Sequence, residues 1–281
     1  MNRRLPKAPE LVFKQRSKWG VDIVTPVYGQ PEFLRAMLSS LLNTDPGLPD
    51  WTLTLVDDRG PDVEDVYKEV SSHPRVRIVH NETNLGFAGS NNAGFRLGKN
   101  PLLLMLNSDI KIIHEQWLAA MAKPFDDPTV GIVGAKLIFF EEADPLYKKS
   151  DFRPPGKIQH AGVAFNLVGN PYHVYQGWDR DHERVSHRRD YNAVTGACLM
   201  VRRSLYNRLG GLDEDYRTGN FEDVQLCVQV RRSGYRVVYQ PDAALYHFAG
   251  GSGNSATAKF NLQLFHVKCR GMIEYDEWRT W

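Results

Sequence analysis

The chain has 281 residues, of which 42% are hydrophobic, and carries 35 basic against 33 acidic side chains for a formal net charge of +2. Such a composition supports a substantial buried core and excludes a disordered or fibrous chain. The near balance of charge excludes a protein whose main task is to coat nucleic acid electrostatically, although it leaves room for a local basic surface.

Residues 1–19 gather Arg3, Arg4, Lys7, Lys14, Arg16 and Lys18 around Leu11, Val12, Phe13 and Trp19. Two readings stand: a solvated lead-in to the first strand, or a segment that touches an anionic membrane or a polyanionic acceptor. No run approaches the roughly 18 apolar residues of a spanning helix, and the start lacks the apolar centre of a signal peptide, so any membrane contact is expected to be peripheral. Three separated cysteines, Cys198, Cys227 and Cys269, form no C-x-x-C pair. Reduced structural thiols and a cytoplasmic location are expected.

From residue 21 short β-rich runs alternate with amphipathic segments. VDIVTPVYG leads into Pro31 to Leu42, where Phe33, Leu34, Met37, Leu38 and Leu41 recur at helical spacing. The alternation continues through WTLTLVDD, Asp62 to Val70, VRIVHN, Gly86 to Leu97, LLLMLNSD, His114 to Met121 and VGIVGAKLI. It predicts an α/β fold with right-handed crossovers and a mostly parallel central sheet flanked by helices. Between about residues 140 and 190 the alternation breaks into a stretch rich in Pro, charge and aromatics, read as an insertion over the sheet. VTGACLMV then predicts a strand, Arg203 to Leu209 a short helix, Phe221 to Arg232 a helix, YRVVYQP and ALYHF two strands, and Lys259 to Tyr275 a last helix after the flexible GGSGNSATA.

In open sheets of this kind ligands sit beyond the carboxyl ends of the strands. Tyr28, the pair Asp57 and Asp58, and the triplet Asn107, Ser108 and Asp109 occupy such positions. No G-x-x-x-x-G-K-[ST] or G-x-G-x-x-G follows the first strand, so a nucleotide would be held another way; NETNLGFAGSNNAG, a Gly-rich turn or a helix mouth with free N–H groups, is one candidate. Asn107 and Asp109 at a strand tip offer oxygens to a hard divalent cation, or else cap the next segment. Glu222 and Asp223 open a helix, a placement the helix dipole favours and a general base requires. His247 follows a strand and precedes a glycine turn, where an imidazole is either structural or within reach of a metal.

Taken together, VDIVTPVYGQPEFL, VDD, NLGFAGSNNAGF, LLLMLNSD, GKIQHAGVAF, VTGACLMVRRSLYNRLGGLDEDY and FEDVQLCVQVRRSGYRVVYQPDAALYH resemble the family 2 glycosyltransferases, whose fold is the Rossmann-like GT-A type. The run from Val194 to His247 is especially similar to members that transfer rhamnose, galactofuranose or related sugars. The resemblance implies an inverting transferase that moves a sugar from a nucleoside-diphosphate sugar to an acceptor hydroxyl with a divalent metal, Mn²⁺ or Mg²⁺. Pro26, Val27 and Tyr28 would line the nucleoside pocket, Asp57 would contact the base, and Asn84, Gly86 and Asn91 would lie beside it. Asn107 and Ser108 would border the donor, and Asp109 would bind the metal with His247 as the distant second ligand. Asn107 stands where many relatives carry Asp, and EDVQL stands where EDVDL is common. Asp223 would be the catalytic base, with Glu222 beside it. Neighbours on a helix diverge by about 100°, so Glu222 is assigned to acceptor binding or orientation. Thr195 and Gly196, with Trp178 and the Tyr172 to Tyr175 stretch, are candidates for the sugar and acceptor walls. The implied division is a basic segment at 1–19, a nucleotide-sugar-binding half at 20–139, an insertion over the active site at 140–190, and an acceptor-binding half with the last helix at 191–281. The acceptor would be a glycan, a lipid-linked glycan or a modified nucleic acid; the run His187, Arg188 and Arg189 permits the last. Two rivals remain: a nucleotidyltransferase of similar fold, which would place a basic loop where TPVYGQPE has no Lys or Arg, and a non-catalytic nucleotide-sugar-binding relative, which would have lost Asp109, Asp223 or His247.

Overall fold

The computed structural model describes residues 18–150, 152–216, 218–248 and 255–275. The basic segment through residue 17 and residues 249–254 of the Gly/Ser stretch lie outside them. In chain order come β1 (Val21–Val27), α1 (Pro31–Leu42), β2 (Trp51–Asp57), α2 (Glu64–Val70), β3 (Val76–His80), α3 (Gly86–Phe95), β4 (Leu102–Leu106), β5 (Ile110–Ile112), α4 (Trp117–Ala122) and β6 (Val130–Ile138). Then follow β7 (Ile158–His160), β8 (Val163–Phe165), β9 (Pro171–His173), β10 (Arg189–Asp190), β11 (Cys198–Arg202), α5 (Arg203–Leu209), α6 (Glu222–Arg232), β12 (Arg236–His247) and α7 (Ser255–Lys268).

The main sheet runs in the order β10-β12-β6-β11-β4-β1-β2-β3, with β5 on β12 and β7 on β6. β4, β1, β2 and β3 are parallel, as are β6 and β12, and β11 runs antiparallel between the two groups. β1, β4 and β6 are apolar almost throughout because helices cover both faces of the sheet, the expected signature of buried parallel strands. One core lies against α1, α2 and α4, and a second lies against α3, α5, α6 and α7.

Local chemistry sets the helix starts. α1 begins on Pro31, whose missing N–H costs nothing in a first turn, after Gln30 turns the chain at φ 57°. α3 is nearly flat against the sheet: a Cβ on Gly94 would lie 2.5 Å from Cγ1 of Val24. Gly94→Val should therefore destabilise the fold by about 1–3 kcal/mol, the usual cost of overpacking. Urea unfolding reads this directly, and an unchanged midpoint would show that α3 can move off β1 without penalty.

Three expected elements differ. The strands around YRVVYQP and ALYHF are one strand, β12, because the register against β6 shifts between Gln240 and Ala244 and absorbs Pro241. The helix expected from His114 starts at Trp117, since Gln116 sits at φ 59°. The last helix stops at Lys268, followed by a turn in which Gly271 takes φ +71°. Residues 140–190 contain β7, which extends the sheet, and the β8–β9 hairpin, which stands apart from it. α6 and β12 are joined by a short turn at residues 233–235, so the start of the helix and the end of the strand share one side of the molecule.

Candidate active site

A cleft of about 440 Å³ opens beside the carboxyl end of β4. The turn after β4 supplies Asn107 and Asp109, the segment before β11 supplies Thr195 and Gly196, and the loop into α6 supplies Thr218 to Asp223. His247 at the end of β12, beside Asp109, and His173 on β9 also line it. Asp109, Asp223 and His247, far apart in sequence, thus face one space.

The loop entering α6 carries Thr218 at φ 30°, Asn220 at 89° and Phe221 at 77°, a run that costs of order 1–3 kcal/mol per residue and persists only where the surroundings impose it. Phe87 N–H donates to the Thr218 carbonyl at 3.3 Å and Asn261 Nδ2 donates to the Gly219 carbonyl at 2.7 Å. The result is an abrupt helix start that turns Glu222 and Asp223 into the cleft.

Asp223 Oδ2 accepts from Gly196 N–H at 2.6 Å and Oδ1 from Val224 N–H at 2.8 Å. A Cβ on Gly196 would lie 3.0 Å from that of Asp223 and 3.2 Å from its Oδ2, so a larger residue there would press on the carboxylate. Burial raises the Asp223 pKa, while the Gly196 and Val224 N–H groups and the Thr195 side chain pull it back. Glu222 is buried, and its Oε2 has no protein partner. Burial first and the Asp223 charge second push its carboxyl up to about 8. At neutral pH the pair therefore carries one negative charge, which rests on Asp223, the member with the N–H donors.

That arrangement has a stability signature. A carboxyl whose folded pKa exceeds its unfolded value stabilises the fold below the unfolded pKa, and this contribution disappears as pH rises through the folded one. For Glu222 the window runs from 4.5 to about 8. Glu222→Gln should flatten the decline, with a melting temperature at pH 8 higher than wild type by on the order of a few degrees. Parallel melting curves for the two proteins across that window would contradict a buried protonated Glu222.

Across the cleft, Asp109 Oδ1 lies 3.2 Å from His247 Nε2, and Gln159 Oε1 lies 3.2 Å from His247 Nδ1. An amide oxygen only accepts, so Nδ1 carries a ring proton, and Nε2 is the ring atom turned toward the Asp109 carboxylate, where a cation would take it as a ligand. A carboxylate oxygen and an imidazole nitrogen at this spacing suit two neighbouring ligands of one cation, so the residues fit a divalent metal. Asn107 Nδ2 is 3.4 Å from the same Nε2. Among the described residues no third His, Cys, Asp or Glu completes a protein-only cage.

The expected nucleoside residues lie away from this cleft's lining. Pro26 and Val27 end β1, and Tyr28 beyond them is exposed. Asp57 Oδ2 pairs with His80 Nδ1 at 2.8 Å, and its Oδ1 accepts from Arg59 N–H at 3.2 Å. Its neighbour Asp58 accepts from Asn81 Nδ2 at 2.8 Å, Leu85 N–H at 2.7 Å and Gly86 N–H at 2.9 Å, tying the start of α3 to β2. Asn84 is exposed and also accepts from Gly86 N–H, at 3.0 Å. Asn91 is fully buried, donates to the Phe87 carbonyl at 2.9 Å and leaves its Oδ1 unpartnered. Ser108 sits in the turn between Asn107 and Asp109, outside the lining. Trp178 stacks edge-on against Tyr175 and His182 and does not border the cleft. Tyr172 and His173, within the expected Tyr172 to Tyr175 wall, do line the cleft, whereas Gln159 and the 218–221 loop line it without having been singled out by sequence; for Gln159 the one signal was the GKIQHAGVAF stretch, which names no chemistry.

The model of the family described as "Glycosyltransferase like family 2" matches residues 19–264. The uncharacterized protein y4gI of Sinorhizobium fredii (strain NBRC 101917 / NGR234) is 30% identical over 92% of this chain and 29% of its own length. The O-antigen biosynthesis protein RfbC of Myxococcus xanthus is 28% identical over 83% of this chain and 17% of its own length. The chain thus spans less than a third of either curated relative. Among solved structures, the mannosyltransferase PcManGT of Pyrobaculum calidifontis, in complex with GDP-Man and Mn²⁺, superposes with a TM-score of 0.62 at 18% identity, over 90% of this chain and 64% of that one. The fold is the GT-A type. No helix among the described residues is long and apolar enough to cross a membrane.

Proposed function

The chain belongs to glycosyltransferase family 2, and on that premise we propose that it transfers a sugar from a nucleoside-diphosphate sugar to an acceptor hydroxyl with inversion at the anomeric carbon. The reading is carried by the convergence of Asp109, His247 and Asp223 on one cleft. Asp109 and His247 would hold a divalent cation, Mn²⁺ or Mg²⁺, which supplies positive charge for a departing diphosphate. Asp223 takes the proton of the acceptor hydroxyl as that oxygen attacks the sugar carbon from the opposite face. Its raised pKa moves the base toward neutral pH, where proton transfer is most effective. The Gly196 N–H holds the receiving carboxylate in one orientation. Protonated Glu222 donates to a substrate oxygen rather than serving as a nucleophile, so a single displacement is favoured over two.

We assign residues 20–139 to the donor, 140–190 to the cover of the site and 191–281 to the acceptor. Tyr28 and Asp57 stand at the strand ends where a nucleoside would lie. RfbC is named for O-antigen biosynthesis, which supports a glycan or lipid-linked glycan as acceptor.

Incubation with Mn²⁺ and a panel of UDP-, GDP- and dTDP-sugars, followed by detection of the freed nucleoside diphosphate and NMR of the product's anomeric centre, tests the reading. Turnover of one donor with inversion is expected; retention of configuration, or no turnover across the panel with glycan acceptors, would defeat it.

A further inference from the structure

His160 and His173 form a buried pair whose purpose the proposed chemistry leaves unexplained. Their Nδ1 atoms are 2.8 Å apart, and the rings meet edge-on at 5.0 Å. One Nδ1 must therefore donate and the other accept. Thr195 N–H donates to His160 Nε2 at 3.4 Å, which fixes the His160 proton on Nδ1. His160 Nδ1–H then donates to His173 Nδ1, and the His173 proton has to sit on Nε2. His173 borders the cleft, and its Nε2 has no protein partner among the described residues. Both rings stay neutral at physiological pH: burial, then the neighbouring imidazoles, hold His160 well below its usual value, and burial, then His247, brings His173 down to about 4.

The position of the pair says what this N–H meets. His173 lines the same cleft as His247, and Gln159, which meets His247 Nδ1, precedes His160 on β7, so the pair lies on the metal side of the cleft. Through Thr195 they also join the segment whose Gly196 N–H grips Asp223. Between a bound diphosphate and the base lies the transferred sugar. Resting on the transferase reading, we propose that His173 is a specificity residue whose Nε2–H donates to a hydroxyl oxygen of the transferred sugar, and that His160 is a positioning residue that fixes the His173 tautomer.

Calorimetric titration with Mn²⁺, using UDP, GDP and dTDP alone and then UDP-glucose, UDP-galactose, UDP-N-acetylglucosamine, GDP-mannose and dTDP-rhamnose, tests this on the intact chain. His173→Phe should bind the preferred free diphosphate as wild type does, which also confirms that it folds, and should bind the matching sugar nucleotide about 10-fold more weakly, the worth of one buried hydrogen bond. His173→Gln, which keeps an N–H donor, should recover part of the loss. Nitrogen-15 shifts of the wild-type imidazoles should report the Nε2–H tautomer at His173, with Nδ1–H appearing instead in His160→Phe. Equal sugar-nucleotide binding by His173→Phe and wild type, or an Nδ1–H tautomer at His173 in wild type, would overturn the assignment alone. Failure of wild type to bind any of these diphosphates or sugar nucleotides would overturn the transferase reading and this assignment with it.

Discussion

Asp223→Asn is expected to lower kcat by about 10²–10⁴-fold, the span that general-base catalysis contributes, while sugar-nucleotide affinity stays at the wild-type value. Asn keeps the shape of Asp and can still accept from the Gly196 N–H, now at 2.6 Å, but it cannot take a proton. The buried Glu222 gains no route to replace it, because with the Asp223 charge gone its own carboxyl has less reason to stay protonated yet still faces the cost of burial. In wild type kcat/KM should fall as pH drops through the raised Asp223 pKa, since the base must be ionised. The variant should lose this acid limb along with the rate. Single-turnover kinetics across the pH range check both, and a variant that retains more than a tenth of the wild-type rate would remove Asp223 from the role of base.

Losing either member of the pair across the cleft should be almost as damaging. Asp109→Asn or His247→Ala is expected to cut transfer by on the order of 10³-fold, because a cation's charge on a leaving group is worth several kcal/mol. The informative readout is binding. At a hundred times its dissociation constant a ligand adds about 2.7 kcal/mol to the folded state, so a nucleoside diphosphate should raise the melting temperature of wild type more with Mn²⁺ than with EDTA. In either variant the two curves should coincide. A Mn²⁺-dependent shift of wild-type size in both variants would move the cation elsewhere. His247→Gln is a useful companion, since it preserves bulk at a buried position beside Gln159.

Much of the frame was visible in the residues. Pro31 to Leu42 and Val130 to Ile138 emerged with their boundaries intact, because periodicity and a Pro start are local signals. β12 divided wrongly on paper since Pro241 looks like a break; only the partner strand β6 provides the register shift that accommodates it. The β7, β8 and β9 strands of three residues each are too short to show a period. In the site, Asp109, Asp223 and His247 were legible because each follows or begins a regular element, where side chains reach a crevice. The second tier was not. The Tyr172 to Tyr175 wall could be named but not what His173 meets there, and Gln159 and His160 make contacts with His247 and Thr195, farther along the chain, that nothing in their own neighbourhood announces. Asp57 and Asp58 look alike in sequence, but only the fold gives one to His80 and the other to the start of α3.

The α6–β12 hairpin places residue 223 near its first end and residue 247 at its last, with a tight reversal between them. The proposed base and one of the two proposed cation ligands thus fall in one contiguous stretch of 26 residues from Glu222 to His247, while Asp109, the other ligand, and the strand tips that would read the nucleoside lie before β6. A recombination event that exchanges everything before β6 would keep the proposed base and His247 together, provided the incoming half carries an aspartate where Asp109 stands. Such a layout would let a lineage acquire a new donor preference while retaining the residue that activates the acceptor.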